Sequence, residues 1–143
     1  MTISLKLTDN VSHRDKASIL NPLIDFNKAH VGTSDYRPLN VIIQDDAMQP
    51  AGGLWGHSAY GWFTIDLFFV PTSLRHQGLG TRIILTGESE AIARACHSAW
   101  VDTHEFQALE FYEKQGYELF AELPDYPSGH KRFFLKKALL IDS

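Results

Sequence analysis

The stretch RHQGLGTR, residues 75–82, joins the apolar run WFTIDLFFVP (residues 62–71) to a segment whose apolar residues have helical spacing. Its two glycines, Gly78 and Gly80, allow a backbone to come close to a ligand because glycine has no Cβ. A helix that begins here would present unpaired N–H groups and the positive end of its dipole. This order of strand, glycine turn and helix start is typical of a phosphate-binding site.

Two common phosphate-binding motifs do not fit the spacing of these glycines. A P-loop requires GxxxxGK[ST], which the sequence does not contain. The Rossmann fingerprint GxGxxG requires a third glycine at the position of Ile83. The alternative to a phosphate site is an ordinary strand-to-helix turn that needs glycine for its geometry.

Composition and charge limit the class of protein. The 143 residues favour one domain, 1–143, and 44% hydrophobic with 21% charged residues is typical of a soluble globular protein. The single cysteine, Cys96, excludes an intrachain disulfide and favours a reducing, cytoplasmic setting. We find no signal-peptide pattern and no membrane-spanning run. A net charge of -4 argues against a general nucleic-acid binder and weakly favours a cationic small substrate.

Hydrophobic periodicity and turn residues predict an α+β domain with a mixed sheet. The predicted strands are residues 3–7, 39–44, 52–60, 62–70, 98–102, 117–123 and 131–137. A first helix, capped by Asn10 or Ser12, would run to Phe26, with a kink or break at Pro22 unless this proline opens a second helical segment after Asn21. Two later helices are predicted at residues 79–96 and 108–115, the second ended by Gly116.

The motif Arg-x-x-Gly-x-Gly of Arg75, Gly78 and Gly80, after a strand that ends in Val-Pro, resembles the pyrophosphate loop of the GNAT superfamily of N-acetyltransferases. A second segment, FQALEFYEKQGYE (residues 106–118), is similar to that family's later signature A-x-x-x-Tyr-x-x-x-Gly-Tyr/Phe. The resemblance extends over essentially the whole chain. It implies a GNAT-like fold, with a mixed and mostly antiparallel sheet flanked by helices, and acetyl-CoA as the co-substrate.

The resemblance also implies where acetyl-CoA would bind. The pyrophosphate would lie against the backbone of residues 75–80, with Thr81 close by. The pantetheine arm would pair with the backbone of the strand around residues 68–70 and pack on Phe111. The thioester would lie where that strand diverges from residues 98–102. Glu105 stands where the family often has an asparagine that contacts the arm. The loop and strand residues implied are Arg75, His76, Gln77, Gly78, Leu79, Gly80, Phe68, Phe69 and Val70.

Two residues are candidates for proton transfer. Tyr112 takes the position of the family's tyrosine, which can protonate the departing thiolate; a core tyrosine is the alternative. An amine attacks a thioester only when it is neutral, so a base or a chain of waters must remove a proton. Asp66 lies inside an apolar strand, where an unpaired charge is costly, and alternation places it on one face with Thr64 and Phe68.

Asp66 is therefore predicted to be a general base or an anchor for the acceptor amine. The alternative is a structural carboxylate paired with an arginine or histidine of a neighbouring strand. In the family the base, where there is one, often stands at the position of Thr64 here.

The remaining candidates carry simpler interpretations. The five histidines at positions 57, 76, 97, 104 and 130 form no HxxxH or HExxH motif, so no metal site is predicted. Cys96 is expected to be a buried apolar filler. The loop at residues 125–130, together with His30, Asp35 and Tyr36, is expected to form the walls of the acceptor site. The segment KRFFLKK (residues 131–137) would suit pairing with a second subunit in a homodimer.

Together these observations predict an acetyl-CoA-dependent N-acetyltransferase that acts on a primary amine of a small molecule by direct attack. Two alternatives stay open at this point. One is a protein or peptide N-acetyltransferase. The other is a non-catalytic acyl-CoA-binding module, which the acidic Glu105 in the asparagine position keeps open.

Overall fold

The computed structural model describes residues 2–139 of the chain, which divides into two compact units, Met1–Ser34 and Asp35–Ser143. The single-domain organisation stays a prediction. The first unit contains helix α1 (His13–Val31). The described part of the second unit contains β1 (Arg37–Gln44), β2 (Pro50–Ala59), β3 (Trp62–Phe69), a 3-10 turn (Thr72–Leu74), α2 (Leu79–Ala93), β4 (Ser98–His104), α3 (Leu109–Lys114), β5 (Glu118–Leu123) and β6 (Arg132–Ala138).

Helix α1 begins with a capping box. The Ser12 hydroxyl accepts a hydrogen bond from the Asp15 N–H, and the Asp15 carboxylate accepts one from the Ser12 N–H, so Ser12 is the cap and Asn10 is not. A 2.9 Å ion pair with Lys6, followed by the bonds to Ser12, lowers the pKa of Asp15. The predicted break at Pro22 is wrong, because the helix continues past it to Val31. A proline removes one N–H donor, and a helix of 19 residues keeps its other bonds.

The strand predicted at residues 3–7 is also wrong. Its apolar and polar residues alternate, but a strand exists only where a second strand accepts and donates its hydrogen bonds. Within residues 2–139, no strand pairs with residues 3–7.

The second unit is built on a six-stranded sheet in the order β1-β2-β3-β4-β6-β5. Only the β3–β4 pair is parallel among the described strands, so the predicted mixed and mostly antiparallel sheet flanked by helices is confirmed. Strand β6 lies between β4 and β5, and both of its edges are hydrogen-bonded. The prediction that residues 131–137 offer an edge to a second subunit is therefore wrong.

Helix α2 covers one face of this sheet. A Cβ on Gly87 would lie 3.1 Å from the Phe63 ring and 3.6 Å from Leu54, so helix and sheet are in close contact there. Cys96 is buried in the same core, as predicted, and burial raises the pKa of its thiol while the charge of Arg94 partly offsets this. No helix in residues 2–139 is both long enough and apolar enough to cross a membrane.

Strand alternation defines the two faces. On β4, Ala99, Val101 and Thr103 are buried on the side of α2, and the residues between them are only partly buried. Helix α3 lies on the same side as α2, since the Tyr117 hydroxyl at its C-terminal end donates to Glu88 of α2. The helix ends at Lys114, and Gly116, at φ +94°, terminates it as predicted: the Gly116 N–H donates to the Glu113 carbonyl and the Tyr117 N–H to the Tyr112 carbonyl, both at 3.0 Å.

Candidate active site

A cleft opens where β3 and β4 separate. The two strands pair from Trp62 and Ser98 as far as Ile65 and Val101, and beyond that point their described residues are not paired with each other. The space between them has a cavity volume of about 1310 Å³ and is lined by the end of β3, the start of α2, the end of β4 and α3. Residues 66–69 of β3, and Val70 directly after it, therefore carry a backbone edge that faces the cleft, and such an edge can pair with an extended ligand.

The cleft brings together nearly all of the predicted site residues. Gln77 is not in its lining, and its side-chain amide instead donates to the Ser73 carbonyl at 3.4 Å. The predicted residues that do line the cleft are Asp66, Phe68, Phe69, Val70, Arg75, His76, Gly78, Leu79, Gly80, Thr81, Glu105, Phe111 and Tyr112. The sequence analysis did not select Asp102, Phe106 or Arg132, which also line it.

The loop before α2 has the geometry of an anion site. His76 and Gly78 both have left-handed backbones, with φ of +62° and +76°. No side chain caps α2, so no side-chain oxygen occupies the N–H groups of its first turn. A Cβ at Gly78 would meet no atom within 4 Å, which shows that this glycine borders open space.

Gly80 has a different role from Gly78. A Cβ there would lie 3.1 Å from the Phe111 ring and 3.7 Å from the Phe68 ring. These two rings stack with 5.4 Å between their centroids. Gly80 therefore lets the start of α2 pack against an aromatic pair on one wall of the cleft.

Two side chains fix the loop to its neighbours. Arg75 Nε donates to the Val70 carbonyl at 2.8 Å, and its guanidinium lies 5.6 Å from the centre of the Phe69 ring. Thr81 Oγ1 accepts a hydrogen bond from Gln115 Nε2 at 2.9 Å. The loop is thereby tied to β3 at one end and to the end of α3 at the other.

Tyr112 is a buried ring with a hydroxyl that opens to the cleft. The Tyr112 side chain lines the cleft, and its hydroxyl makes no hydrogen bond within residues 2–139. In the same residues no fully buried side-chain polar atom lacks a partner, so this hydroxyl must be reachable from the cleft. Burial, and secondarily the charge of Asp102, raises the pKa of Tyr112, so the phenol is protonated at neutral pH.

Asp66 is the extra residue of a β-bulge. Trp55 of β2 pairs with Leu67 and the next residue, Gly56, pairs with Ile65, which leaves Asp66 between them without a partner. The bulge interrupts the alternation, so the prediction of one face shared by Thr64, Asp66 and Phe68 is wrong: Phe68 stacks on Phe111 on the side of α2, whereas Asp66 contacts His57, the cross-strand partner of Thr64.

The Asp66 carboxylate is paired with a histidine of the neighbouring strand. Asp66 Oδ2 lies 3.0 Å from His57 Nδ1, and the side chains are 43% and 25% exposed. This is the kind of partner that the structural interpretation of Asp66 predicted. Thr64, at the position where the family's base often stands, accepts a hydrogen bond from Trp100 Nε1 at 2.8 Å. A hydroxyl that is buried and engaged in this way is not a base.

Charged pairs also stand at the end of β4. Arg132 donates from Nε and Nη2 to Asp102 Oδ1 at 3.0 and 2.6 Å. His130 Nδ1 lies 2.8 Å from Glu105 Oε1. The ring of His104 stacks on Phe106 with 5.2 Å between centroids.

The predicted acceptor walls are placed as follows. Two residues of the loop at 125–130 reach the cleft lining: the Tyr126 carbonyl lies 2.8 Å from His104 Nδ1, and His130 pairs with Glu105. The Tyr36 ring lies 5.0 Å from that of His57. His30 belongs to α1, in the first unit. Over residues 2–139, no group of three His, Cys, Asp or Glu is arranged to hold a metal ion.

Known proteins are similar to this chain in sequence and in architecture. Residues 9–117 match the family model described as the acetyltransferase (GNAT) family. An acetyltransferase of Agrobacterium fabrum is 37% identical over 131 residues, which cover 92% of this chain and 96% of that protein. A blasticidin-S acetyltransferase of Streptomyces morookaense is 42% identical over 90 residues, 62% of this chain and 66% of that protein. The crystal structure of a protein from Agrobacterium tumefaciens classed as an acetyltransferase has a TM-score of 0.90 and 35% identity, with 95% of this chain and 99% of that one covered.

Proposed function

Because this chain belongs to the GNAT acetyltransferase family and is an acetyl-CoA-dependent N-acetyltransferase, we propose that its acceptor is the primary amine of a small molecule. The observation that carries this proposal is the 42% identity to a blasticidin-S acetyltransferase, whose name gives a small molecule as the acceptor. Acetyltransferase relatives indicate an enzyme and not the non-catalytic module that Glu105 kept open.

In the proposed complex, the acetyl-CoA pyrophosphate lies on the loop at residues 75–80. Two features support this position: the uncapped start of α2 and the open space at Gly78. The pantetheine arm pairs with the free edge of residues 68–70 and packs on Phe111. That path brings the thioester to the apex of the cleft, the point after Ile65 and Val101 where β3 and β4 separate. The thioester then lies next to Asp66 and Tyr112.

The proposed reaction is a direct transfer. The neutral amine nitrogen forms a bond to the thioester carbon, and the carbonyl π electrons move to oxygen. A backbone N–H at the β3 bulge, where Asp66 has no strand partner, suits this developing charge. When the carbonyl re-forms, the C–S bond breaks and the electron pair leaves with sulfur. Tyr112 donates a proton to that thiolate, and its raised pKa keeps the proton available at neutral pH.

The charges around the cleft suit a small polar acceptor. Four carboxylates line it, and three of them have a basic partner: Asp66 with His57, Asp102 with Arg132, and Glu105 with His130. Paired groups of this kind keep fixed orientations, so they offer hydrogen bonds at defined points.

We propose the cytoplasm as the location, because the single cysteine favours a reducing setting. The homodimer stays a prediction.

A competition between acceptor classes tests the proposal. The purified protein is mixed with acetyl-CoA and with blasticidin S, small polyamines, aminoglycosides, or peptides with free N-termini and lysines. Free thiol is measured, and mass spectrometry identifies the acetylated nitrogen. We expect at least one small amine to exceed every peptide in kcat/KM by about 100-fold, a transition-state difference of about 2.7 kcal/mol. A peptide that exceeds all small amines would show instead that the protein or peptide acetyltransferase is correct.

A further inference from the structure

We infer that His57 is the general base of the transfer and that Asp66 positions it. This inference rests on the proposed direct attack by an amine and adds the residue that makes the amine reactive. His57 belongs to β2 and is not part of the cleft lining, so neither the sequence motifs nor the cleft selects it.

The place of the pair in the sheet is the first argument. Ile65 and Val101 are the last residues that pair across β3 and β4, and Asp66 follows Ile65 directly. The bulge releases Asp66 from the β2 ladder, and its carboxylate reaches His57 at 3.0 Å. Bulges re-aim side chains next to active sites, and this one brings the carboxylate of a residue that lines the cleft onto the His57 imidazole.

The orientation of the imidazole is the second argument. Nδ1 is the ring nitrogen that faces Asp66, so Nε2 points away from the carboxylate. A carboxylate that accepts the Nδ1 hydrogen fixes the tautomer with a lone pair on Nε2 and stabilises the imidazolium formed after proton uptake. The titratable groups that face His57 are Asp66 from β3 and Tyr36, whose ring lies 5.0 Å away. Asp66 contacts the ring at Nδ1, and Tyr36 packs beside the ring.

The direction from which the amine approaches is the third argument. His57 pairs across the sheet with Thr64, whose hydroxyl bonds to Trp100, and all three lie on the face away from α2. Tyr112 lies on the α2 side. An amine that arrives from the His57 face would thus meet the thioester opposite the side where the thiolate is protonated.

Other groups at the apex are less able to take the proton. Asp102 accepts two hydrogen bonds from Arg132, so its carboxylate is already engaged. The Thr64 hydroxyl is buried and engaged. Asp66 itself accepts the His57 hydrogen bond. A histidine, by contrast, is the side-chain type that exchanges a proton between pH 5 and 8.

The protons balance as follows. His57 Nε2 takes one proton from the bound ammonium, and the neutral amine attacks. After attack the nitrogen still carries one surplus proton, which is lost to solvent as the C–S bond breaks. Tyr112 gives its proton to sulfur and is reprotonated by solvent, and His57 releases its proton. The products are the amide, free coenzyme A thiol and one net proton.

Substitution of the histidine tests the inference with the full chain and any primary alkylamine that the wild type acetylates. We expect His57→Gln to lower kcat/KM at neutral pH by about 100-fold or more. The variant should also lose the acidic limb of the pH profile, the fall of kcat/KM as the pH is lowered. The loss should shrink as pH approaches the amine's own pKa, where the free amine no longer needs a base. Asp66→Asn should keep the limb and lower kcat more than it changes KM, because the imidazole is still present but has lost the carboxylate that orients it.

Two controls exclude a structural cause. His97→Gln makes the same substitution at a histidine that bonds to Ser98 outside the cleft lining, and it should retain wild-type activity within about twofold. His57→Gln should keep wild-type acetyl-CoA affinity, measured by calorimetry. If His57→Gln retains both the acidic limb and a kcat/KM within threefold of wild type, His57 is not the base. A peptide acceptor would overturn the small-molecule proposal and still allow this comparison, so the two failures are distinguishable.

Discussion

Gly78→Asp is the substitution that most directly examines the phosphate site. A Cβ at Gly78 meets nothing within 4 Å, so the new side chain would project into the space assigned to the pyrophosphate. The backbone there has φ +76°, a region that Asp and Asn enter more readily than other non-glycine residues. Gly78→Asn therefore serves as a matched control with the same shape and no charge.

The size of the effect follows from Coulomb's law. A carboxylate about 5 Å from one phosphate charge is repelled by about 0.8 kcal/mol in water-like surroundings and by about 3 kcal/mol at an effective dielectric constant of about 20. The pyrophosphate carries about two charges, so the minimum penalty is about 1.6 kcal/mol, or about 15-fold in affinity.

Calorimetric titration with acetyl-CoA measures this penalty. Gly78→Asn should bind within about fivefold of the wild type, whereas Gly78→Asp should bind at least about 15-fold more weakly than Gly78→Asn. The gap between the variants should narrow in high salt, because screening weakens the repulsion. Equal affinity of the two variants at low salt would refute a pyrophosphate at Gly78.

Three further predictions concern buried groups. Tyr112→Phe should lower kcat by about 10- to 100-fold with unchanged acetyl-CoA affinity, measured by thiol release and calorimetry, because the hydroxyl is unpaired in the fold. Burial raises the pKa of Tyr112 and Tyr117, so stability is full below about pH 10 and falls above it, and Tyr117→Phe should reduce that slope in urea unfolding by about 1.4 kcal/mol per pH unit. Glu88→Gln should cost about 1–3 kcal/mol by breaking its 2.8 Å contacts with Lys137 and Tyr117, whereas the exposed Glu90→Gln should cost less than about 1 kcal/mol.

The sequence was informative where local rules decide the structure. Strands β1 to β3 lie within two residues of their predicted ends, because alternation and turn residues act over a few positions. Alternation at residues 3–7 failed, since it describes one strand and says nothing of the partner that must hydrogen-bond to it. The cap at Ser12 could be predicted from Asp15 three positions later, a local signal.

The site residues that belong to one contiguous segment could be predicted from the sequence. Those that meet only through the pairing register of two strands could not. The loop from Arg75 to Gly80 and the tyrosine at position 112 follow from contiguous motifs, and they do line one cleft. His57 and Asp66 meet only because β2 and β3 pair with one extra residue, and no spacing along the chain reveals a bulge. Arg132 reaches Asp102 across β6 and β4, 30 positions apart, for the same reason.

The separation of β3 from β4 links cofactor binding to proton transfer. If the strands stayed paired beyond Ile65 and Val101, no edge would be free for the pantetheine arm, and the two faces of the sheet would be closed from each other. Because they diverge, the thioester in the proposed complex can be reached from the side of Tyr112 and from the side of His57. The bulge at Asp66 stands at the start of that divergence. One irregularity in the sheet would then serve both the binding of acetyl-CoA and the activation of the amine.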